Sequence, residues 1–267
     1  MEKKYRITVL MAIYNCAPTL KEAIDSLYAQ TYNNFKLVLC DDASTDNTYE
    51  IAKQYAEKHD NIVLIQNEKN MKLAYSLNRC LEYADTEYVA RMDGDDISLP
   101  TRFEKQIKFL DEHPEYAVVS SPMIYFDETG DWGKGKSNPT PDKNSFKKGA
   151  PHTHAPAMIR TAVMKEIDGY TVDKRLVRGQ DYYLWYKIYK AGYQGYNLQE
   201  HLYKMRDDRN AMARRTFSVR WNGFVIKRKV MKDLGIPYAT LHALPNLIKA
   251  FIPPFLMRIL RKKRMGK

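Results

Sequence analysis

Cysteine is scarce here: Cys16, Cys40 and Cys80 are the only three in 267 residues, an odd number with no C-x-x-C pair. That excludes a disulfide framework and a zinc ribbon. With no signal peptide ahead of them, a reducing, cytoplasmic setting is expected, with the cysteines as small apolar fillers. No uninterrupted apolar stretch is long enough to span a bilayer, which takes about 20 residues. No G-x-G-x-x-G follows the first apolar run, so a dinucleotide cofactor is not expected. No G-x-x-x-x-G-K-[ST] occurs, which excludes a P-loop enzyme. Negative charge is in deficit: 43 Lys and Arg face 32 Asp and Glu, a formal charge of +11. Such a balance points to an anionic partner, whether nucleotide, nucleic acid or membrane surface. With 44% hydrophobic and 28% charged residues, the chain is globular rather than disordered. Its length suits one large domain, with or without an appendage.

What acid there is, is concentrated. The stretch Tyr88-Val-Ala-Arg-Met-Asp93-Gly-Asp95-Asp96-Ile-Ser-Leu-Pro100 begins as a short apolar run and ends in three carboxylates. The run reads as a buried strand, and the acids then stand at its carboxyl end, where open α/β sheets bind ligands. Carboxylates this crowded repel one another. Mg²⁺ or Mn²⁺, held through one or two carboxylates and the oxygens of a substrate phosphate, would compensate them. The alternative is a solvated acidic turn. An EF-hand is excluded, because its Gly and closing Glu are missing at the required offsets.

Strand and helix alternate around this stretch. Arg6–Ile13, Phe35–Cys40, Ile62–Ile65 and Tyr88–Met92 read as strands. Stripes at Ala23/Ile24/Leu27/Tyr28, Ile51/Ala52/Tyr55/Ala56 and Ala74/Leu77/Leu81/Ala84 read as helices, the first opened by a Thr19/Glu22 capping box. Short connections make this a mostly parallel sheet with helices on both faces. Tyr14-Asn15, Asp41-Asp42 and Asp93-Gly-Asp95-Asp96 then lie along one sheet edge. Any one of them alone could be a turn or a cap. Together they fit a nucleoside-diphosphate pocket: an aromatic ring stacks on the base, a carboxylate accepts from the base edge, and a metal holds the phosphates.

At these residues the chain resembles family 2 glycosyltransferases of the GT-A fold, a Rossmann-like nucleotide-binding α/β architecture. Val9-Leu-Met-Ala-Ile-Tyr14-Asn15, Asp41-Asp42-Ala-Ser-Thr-Asp46 and Asp93-Gly-Asp95-Asp96 match the family's successive signatures in order and spacing. So do Leu73-Ala74-Tyr-Ser-Leu77-Asn78 and Tyr88-Val-Ala-Arg. The pattern is most similar to bacterial enzymes of exopolysaccharide and capsule assembly. Ala12 stands where the first motif commonly has Pro, and Ala43 where the second has Gly. The resemblance implies donor contacts at Ala12, Tyr14 and Asn15, with Tyr14 packing on the base, and at Asp42, reading the base edge. It implies that Asp95, with Asp93 or Asp96, holds the metal, ribose and diphosphate.

Arg102–Leu110 reads as an amphipathic helix and Tyr116–Val119 as a strand. Residues 127–151, rich in Gly, Pro, Asp, Asn and Lys, read as a long loop, either a lid over the donor or a plain excursion. His152–Met158 is expected as a strand approaching the site. Its H-x-H pair lacks a third zinc ligand nearby. The stretch Arg178-Gly-Gln180-Asp181-Tyr-Tyr-Leu184-Trp185 places Asp181 at a helix start, where an acid can simply complement the helix dipole. It also resembles the family's E-D-x-x-L-W motif, with Gln180 in place of the usual Glu. The resemblance makes Asp181 the general base, with His154, Gln180 and Trp185 near donor or acceptor. Tyr196–Arg206 is expected as a last strand, with Arg206 near the diphosphate.

These readings give a catalytic domain over residues 1–209, with a nucleotide-sugar half to about 120 and an acceptor half beyond it. Residues 210–267 form a basic amphipathic helical appendage. Within it Phe217–Leu234 reads as a helix, and an apolar face over residues 244–260 is followed by Arg261-Lys-Lys-Arg264. Pro253-Pro254 interrupts that face, which suits an interfacial segment. The expected function is inverting transfer from a nucleotide-sugar, a UDP-sugar foremost, to a saccharide or lipid-linked acceptor, at the inner face of the cell membrane. A nucleotidyltransferase would use the same acids and Mg²⁺ but release pyrophosphate. A non-enzymatic basic binding module would leave the strand-end acids dispensable. Nucleic acid is not expected, because an acidic pocket repels phosphates without metal.

Overall fold

The computed structural model describes residues 5–207 and 216–248. The first half alternates as β1 (Ile7–Ile13), α1 (Ala17–Tyr28), β2 (Phe35–Asp41), α2 (Thr48–Lys58), β3 (Ile62–Gln66), α3 (Leu73–Glu82) and β4 (Tyr88–Arg91). There follow β5 (Ile97–Ser98), α4 (Arg102–Glu112), β6 (Tyr116–Ser120), β7 (Ile124–Asp127), β8 (Gly130–Lys134), β9 (Met158–Arg160) and α5 (Thr161–Glu166). The chain continues with α6 (Gln180–Lys190), β10 (Gln194–Asn197), β11 (Tyr203–Arg206), α7 (Phe217–Asp233), α8 (Ala239–Ala243) and α9 (Pro245–Ile248). Seven strands form the main sheet in the order β10-β6-β9-β4-β1-β2-β3. All its pairings are parallel except those of β9, which runs antiparallel between β4 and β6.

The period of two along the strands sorts the core into two layers. Val9, Met11, Leu37, Leu39 and Ala90 point to one face and meet Leu20, Ile24 and Leu27 of α1 and Phe103, Ile107 and Leu110 of α4. Leu10, Val38, Cys40 and Val89 point to the other and meet Leu77 and Cys80 of α3, Met164 of α5 and Leu184 and Ile188 of α6. Val230 and Met231 of α7, with Ile236 and Ala243 after it, join that second layer. Residues 216–248 therefore do not bury a core of their own. Tyr186 donates to Asp233 at 2.8 Å and fixes α7 against α6.

A second, four-stranded sheet, β5-β11-β7-β8, meets the acidic turn through β11, where Arg206 N–H donates to Asp96. Several local expectations change. Helix α1 begins at Ala17 with Pro18 in its first turn, so no capping box forms. Thr19 donates instead to the Gly94 carbonyl at 2.9 Å, and Glu22 pairs with Arg206. Residues 127–151 contain β8 and a 3-10 turn at Lys143–Lys147. The strand after His152 is only Met158–Arg160, and Tyr196–Arg206 divides into β10 and β11 in different sheets. The reason is tertiary: Gln199 and Glu200 lie between two runs that find different partners. Among the described residues no helix is long and apolar enough to cross a membrane. Most of the expected face over residues 244–260, and all of Arg261–Arg264, lie outside the described residues.

Candidate active site

Strand order brings three loops together. The carboxyl ends of β4, β1 and β2 are neighbours, so Asp93–Asp96, Tyr14-Asn15 and Asp41–Ser44 share one edge. Hydrogen bonds lock them: Asn15 N–H donates to Ser44 Oγ at 3.0 Å, and Asn15 Oδ1 accepts from Thr45 N–H at 2.8 Å. Asn15 and Ala43 take positive φ, 47° and 59°, the left-handed region that glycine tolerates best. Tyr14 stands 46% exposed beside them, a ring open to stacking. Ala12, one step inside β1, is partly buried against the core.

Asp42 is buried and already much used. Its Oδ1 accepts from Asn67 at 2.6 Å and from Met71 N–H at 2.8 Å; its Oδ2 accepts from Lys72 N–H at 2.9 Å. Two lone pairs on each oxygen leave one acceptor position, on Oδ2. Lys72 is held at φ 72° where it makes this contact. Its neighbour Asp41 is fully buried, with Oδ1 unpaired.

The acidic turn separates its three carboxylates by role. Asp93 pairs with Arg91, whose guanidinium is buried and leaves Nε and Nη1 without partners. Burial works against the Arg91 charge, but Asp93 outweighs it and the group stays cationic. Asp95 presents its side chain to solvent. Even so, the surrounding protein, and then the nearby Asp93 charge, push its carboxyl up to about 6. Asp96 turns inward. Its Oδ1 accepts from Arg206 N–H at 2.8 Å, Tyr203 bonds to the same carboxylate, and only 2% of the residue is exposed. Burial raises its carboxyl well above the usual range. Asp96 is thus a strut under the turn, not an outward ligand as the sequence suggested; β11 reaches it only because β11 pairs with β5. Arg206 is tied to the turn as well, through Nε to the Asp95 carbonyl at 2.9 Å, with its guanidinium 4.5 Å from the centre of the Phe126 ring.

Carboxylate oxygens are hard donors suited to Mg²⁺ or Mn²⁺. Among the described residues no three His, Cys, Asp or Glu side chains converge as a ready-made cage. Asp95, outward and crowded by Asp93, fits a cation shared with substrate phosphates, the usual way Mg²⁺ is held.

The other half of the site comes from α6. Asp181 lies in its first turn after Gly179. Arg91, Asp93, His154, Gln180 and Asp181 line one cleft of about 960 Å³. His154 Nε2 meets the Tyr170 hydroxyl at 2.8 Å, and burial followed by the Arg91 charge holds the ring well below its usual pKa. It is therefore a neutral polar wall. Trp185 does not line the cleft. It is fully buried, edge-on to His152 and His154, and supports them from below. Arg91 is the residue that sequence reasoning passed over. Its signal was a cation closing an otherwise apolar strand two positions before Asp93.

Residues 8–169 match the model of the family described as Glycosyl transferase family 2. The putative glycosyltransferase EpsE of Bacillus subtilis is 42% identical over 262 residues, covering 97% of this chain and 94% of its own. The amylovoran biosynthesis glycosyltransferase AmsE of Erwinia amylovora is 30% identical over 275 residues, covering 96% and 98%. S. aureus TarS residues 1–349, solved with UDP-GlcNAc, superposes with a TM-score of 0.71 at 20% identity, over 92% of this chain and 71% of that one. The likeness to TarS establishes the GT-A fold, and the sequence matches establish the lineage: the chain is a glycosyltransferase and belongs to glycosyl transferase family 2.

Proposed function

We propose that this glycosyltransferase moves a hexosyl-type sugar, with inversion, from a UDP-sugar to a saccharide or lipid-linked acceptor in bacterial cell-surface polysaccharide biosynthesis. One observation carries the reading: Asp93, from the acidic turn, and Asp181, from α6, line the same cleft. The donor's diphosphate edge and a base for the acceptor thus meet in one space. Tyr14 stacks on the base, the remaining acceptor position of Asp42 takes its N–H, and Asn15 and Ala12 shape the loop beneath. Asp95 would hold a divalent cation at the donor phosphates. A bound Mg²⁺ or Mn²⁺ supplies neutralisation of the leaving diphosphate. Asp181 takes the proton from the acceptor hydroxyl as its oxygen bonds to the anomeric carbon. The bond to the phosphate oxygen breaks on the opposite face, which inverts the centre. His154 and Gln180 orient the sugars, and Arg91, paired with Asp93, adds a fixed positive charge to the cleft wall.

We read residues 1–209 as the catalytic unit and 210–267 as the appendage that brings it to the cytoplasmic face of the membrane. Phe217, Trp221 and Val225 support this. They are spaced four apart on α7 and stand 59%, 49% and 41% exposed, an outward apolar stripe on a basic chain.

The experiment is a UDP titration of wild type and Asp95→Ala, each with Mn²⁺ and with EDTA. Wild-type affinity should fall in EDTA to the level of the variant. Unchanged wild-type affinity in EDTA sinks the metal assignment.

A further inference from the structure

A second cavity lies behind Asp181, between the start of α6 and the inward face of α7. It is about 230 Å³, below the roughly 300–1,000 Å³ of pockets for drug-sized ligands, so it suits one compact group. Its walls are strongly cationic. Lys148, Lys174, Arg175 and Arg178 stand at its exposed rim, and Lys227 lies buried within. Not all of this charge is available: Arg175 pairs with Asp173 at 2.6 Å, Lys227 donates to the Lys147 carbonyl at 2.8 Å, and Arg178 is engaged as well, which leaves Lys148 and Lys174 as the main contributors. Asp181 is the one acid among the described residues of the lining, so their balance stays positive. Apolar wall comes from Val177, Val219 and Ile226.

The cavity is contiguous with the main cleft. Lys148, Gly149, Ala150, Arg178 and Asp181 line both. Asp181 lines both and Asp95 neither, so a group in the small cavity can reach Asp181 without touching Asp95. A neutral saccharide gives no reason for such charge. A sugar joined through a diphosphate to an apolar chain does: the sugar enters the cleft, the diphosphate meets the cations, and the first apolar units meet Val177 and Val219.

We infer that this cavity binds the diphosphate linking group of a lipid-linked saccharide acceptor. The inference rests on the proposed reading of Asp181 as the acceptor-side base. The test uses the full chain with saturating UDP and Mn²⁺, so that the donor site is filled, and farnesyl diphosphate as probe. Affinity is measured by calorimetry for wild type and for Lys174→Glu, an exposed residue that lines this cavity and not the cleft. Farnesyl diphosphate should bind wild type, weaken as salt rises, and bind the variant at least about tenfold less tightly, roughly what one reversed charge costs near a surface. Farnesol, which lacks the diphosphate, should bind neither protein. Equal affinity of farnesyl diphosphate for both proteins, or binding of farnesol as tight as that of farnesyl diphosphate, overturns the assignment. UDP affinity, measured separately, reports on the donor half. If UDP fails to bind while the probe still distinguishes the two proteins, the cavity assignment stands and the donor reading falls.

Discussion

Two carboxyl oxygens on Asp181 carry the proposed base chemistry. Asp181→Asn keeps the side chain's size and its hydrogen-bonding reach but loses proton affinity. It should retain the fold and UDP affinity and lose at least roughly two orders of magnitude in transfer. Transfer near the wild-type rate would move the base elsewhere. His154 would be a poor replacement, being held neutral by burial, and Asp173 is committed to Arg175. A different residue sets an acid sensitivity of the fold. His152 is buried, with Nδ1 at 2.8 Å from Asn197 Oδ1 and Nε2 at 3.1 Å from the Tyr189 hydroxyl. Burial lowers its pKa to about 4, whereas the unfolded chain titrates near 6.5. Between these values the unfolded state binds the extra proton, so stability falls as pH drops through that window, by up to about 3 kcal/mol. Urea midpoints at pH 7.5 and 5 should differ less in His152→Gln than in wild type. Equal differences would clear His152 of the effect.

At the scale of elements, the critical contact is where the loop after β1 meets the turn after β4. A Cβ on Gly94 would lie 2.6 Å from Cys16 Sγ and 3.3 Å from Ile13 Cγ2. Glycine is therefore required by close approach, not by backbone angle. Gly94→Ala should cost about 1–3 kcal/mol, as overpacking does, and should weaken UDP binding by prising the loops apart. Cys16→Ala removes the sulfur and leaves Cβ of residue 16 at an ordinary 3.5 Å. The double variant should thus regain part of the loss in thermal melts. Additive losses would place the strain elsewhere.

Across the whole molecule, positive charge and exposed apolar surface act together. Each cation near an anionic leaflet is worth roughly 1 kcal/mol, and salt screens that attraction. Burial of apolar side chains, at about 25 cal/mol per Å², is not screened in this way. The protein should therefore co-sediment with anionic vesicles, more weakly but still measurably in high salt. Trp221→Ser with Val225→Ser should remove the salt-resistant part while leaving the melting point near that of wild type, since both residues are exposed. If the double variant and wild type pellet alike in high salt, α7 is not the membrane face.

The alternation of apolar strands with helical stripes determined strands β1 to β4 of the main sheet by itself, because burial on both faces demands unbroken apolar strands and period two then sorts the layers. The acid clusters at strand ends were equally legible, since a parallel sheet puts those ends on one edge. What lay beyond reach was set by partners distant in sequence. That Asp96 turns inward depends on β11 arriving from more than a hundred residues away to offer Arg206 N–H. That Trp185 is a support follows from the core closing over it. That Arg91 and Asp93 share a cleft with Asp181 depends on where α6 docks. Residue type and spacing fix which groups exist and which element carries them. Only the packed chain decides which of their atoms are already satisfied and which remain for a ligand.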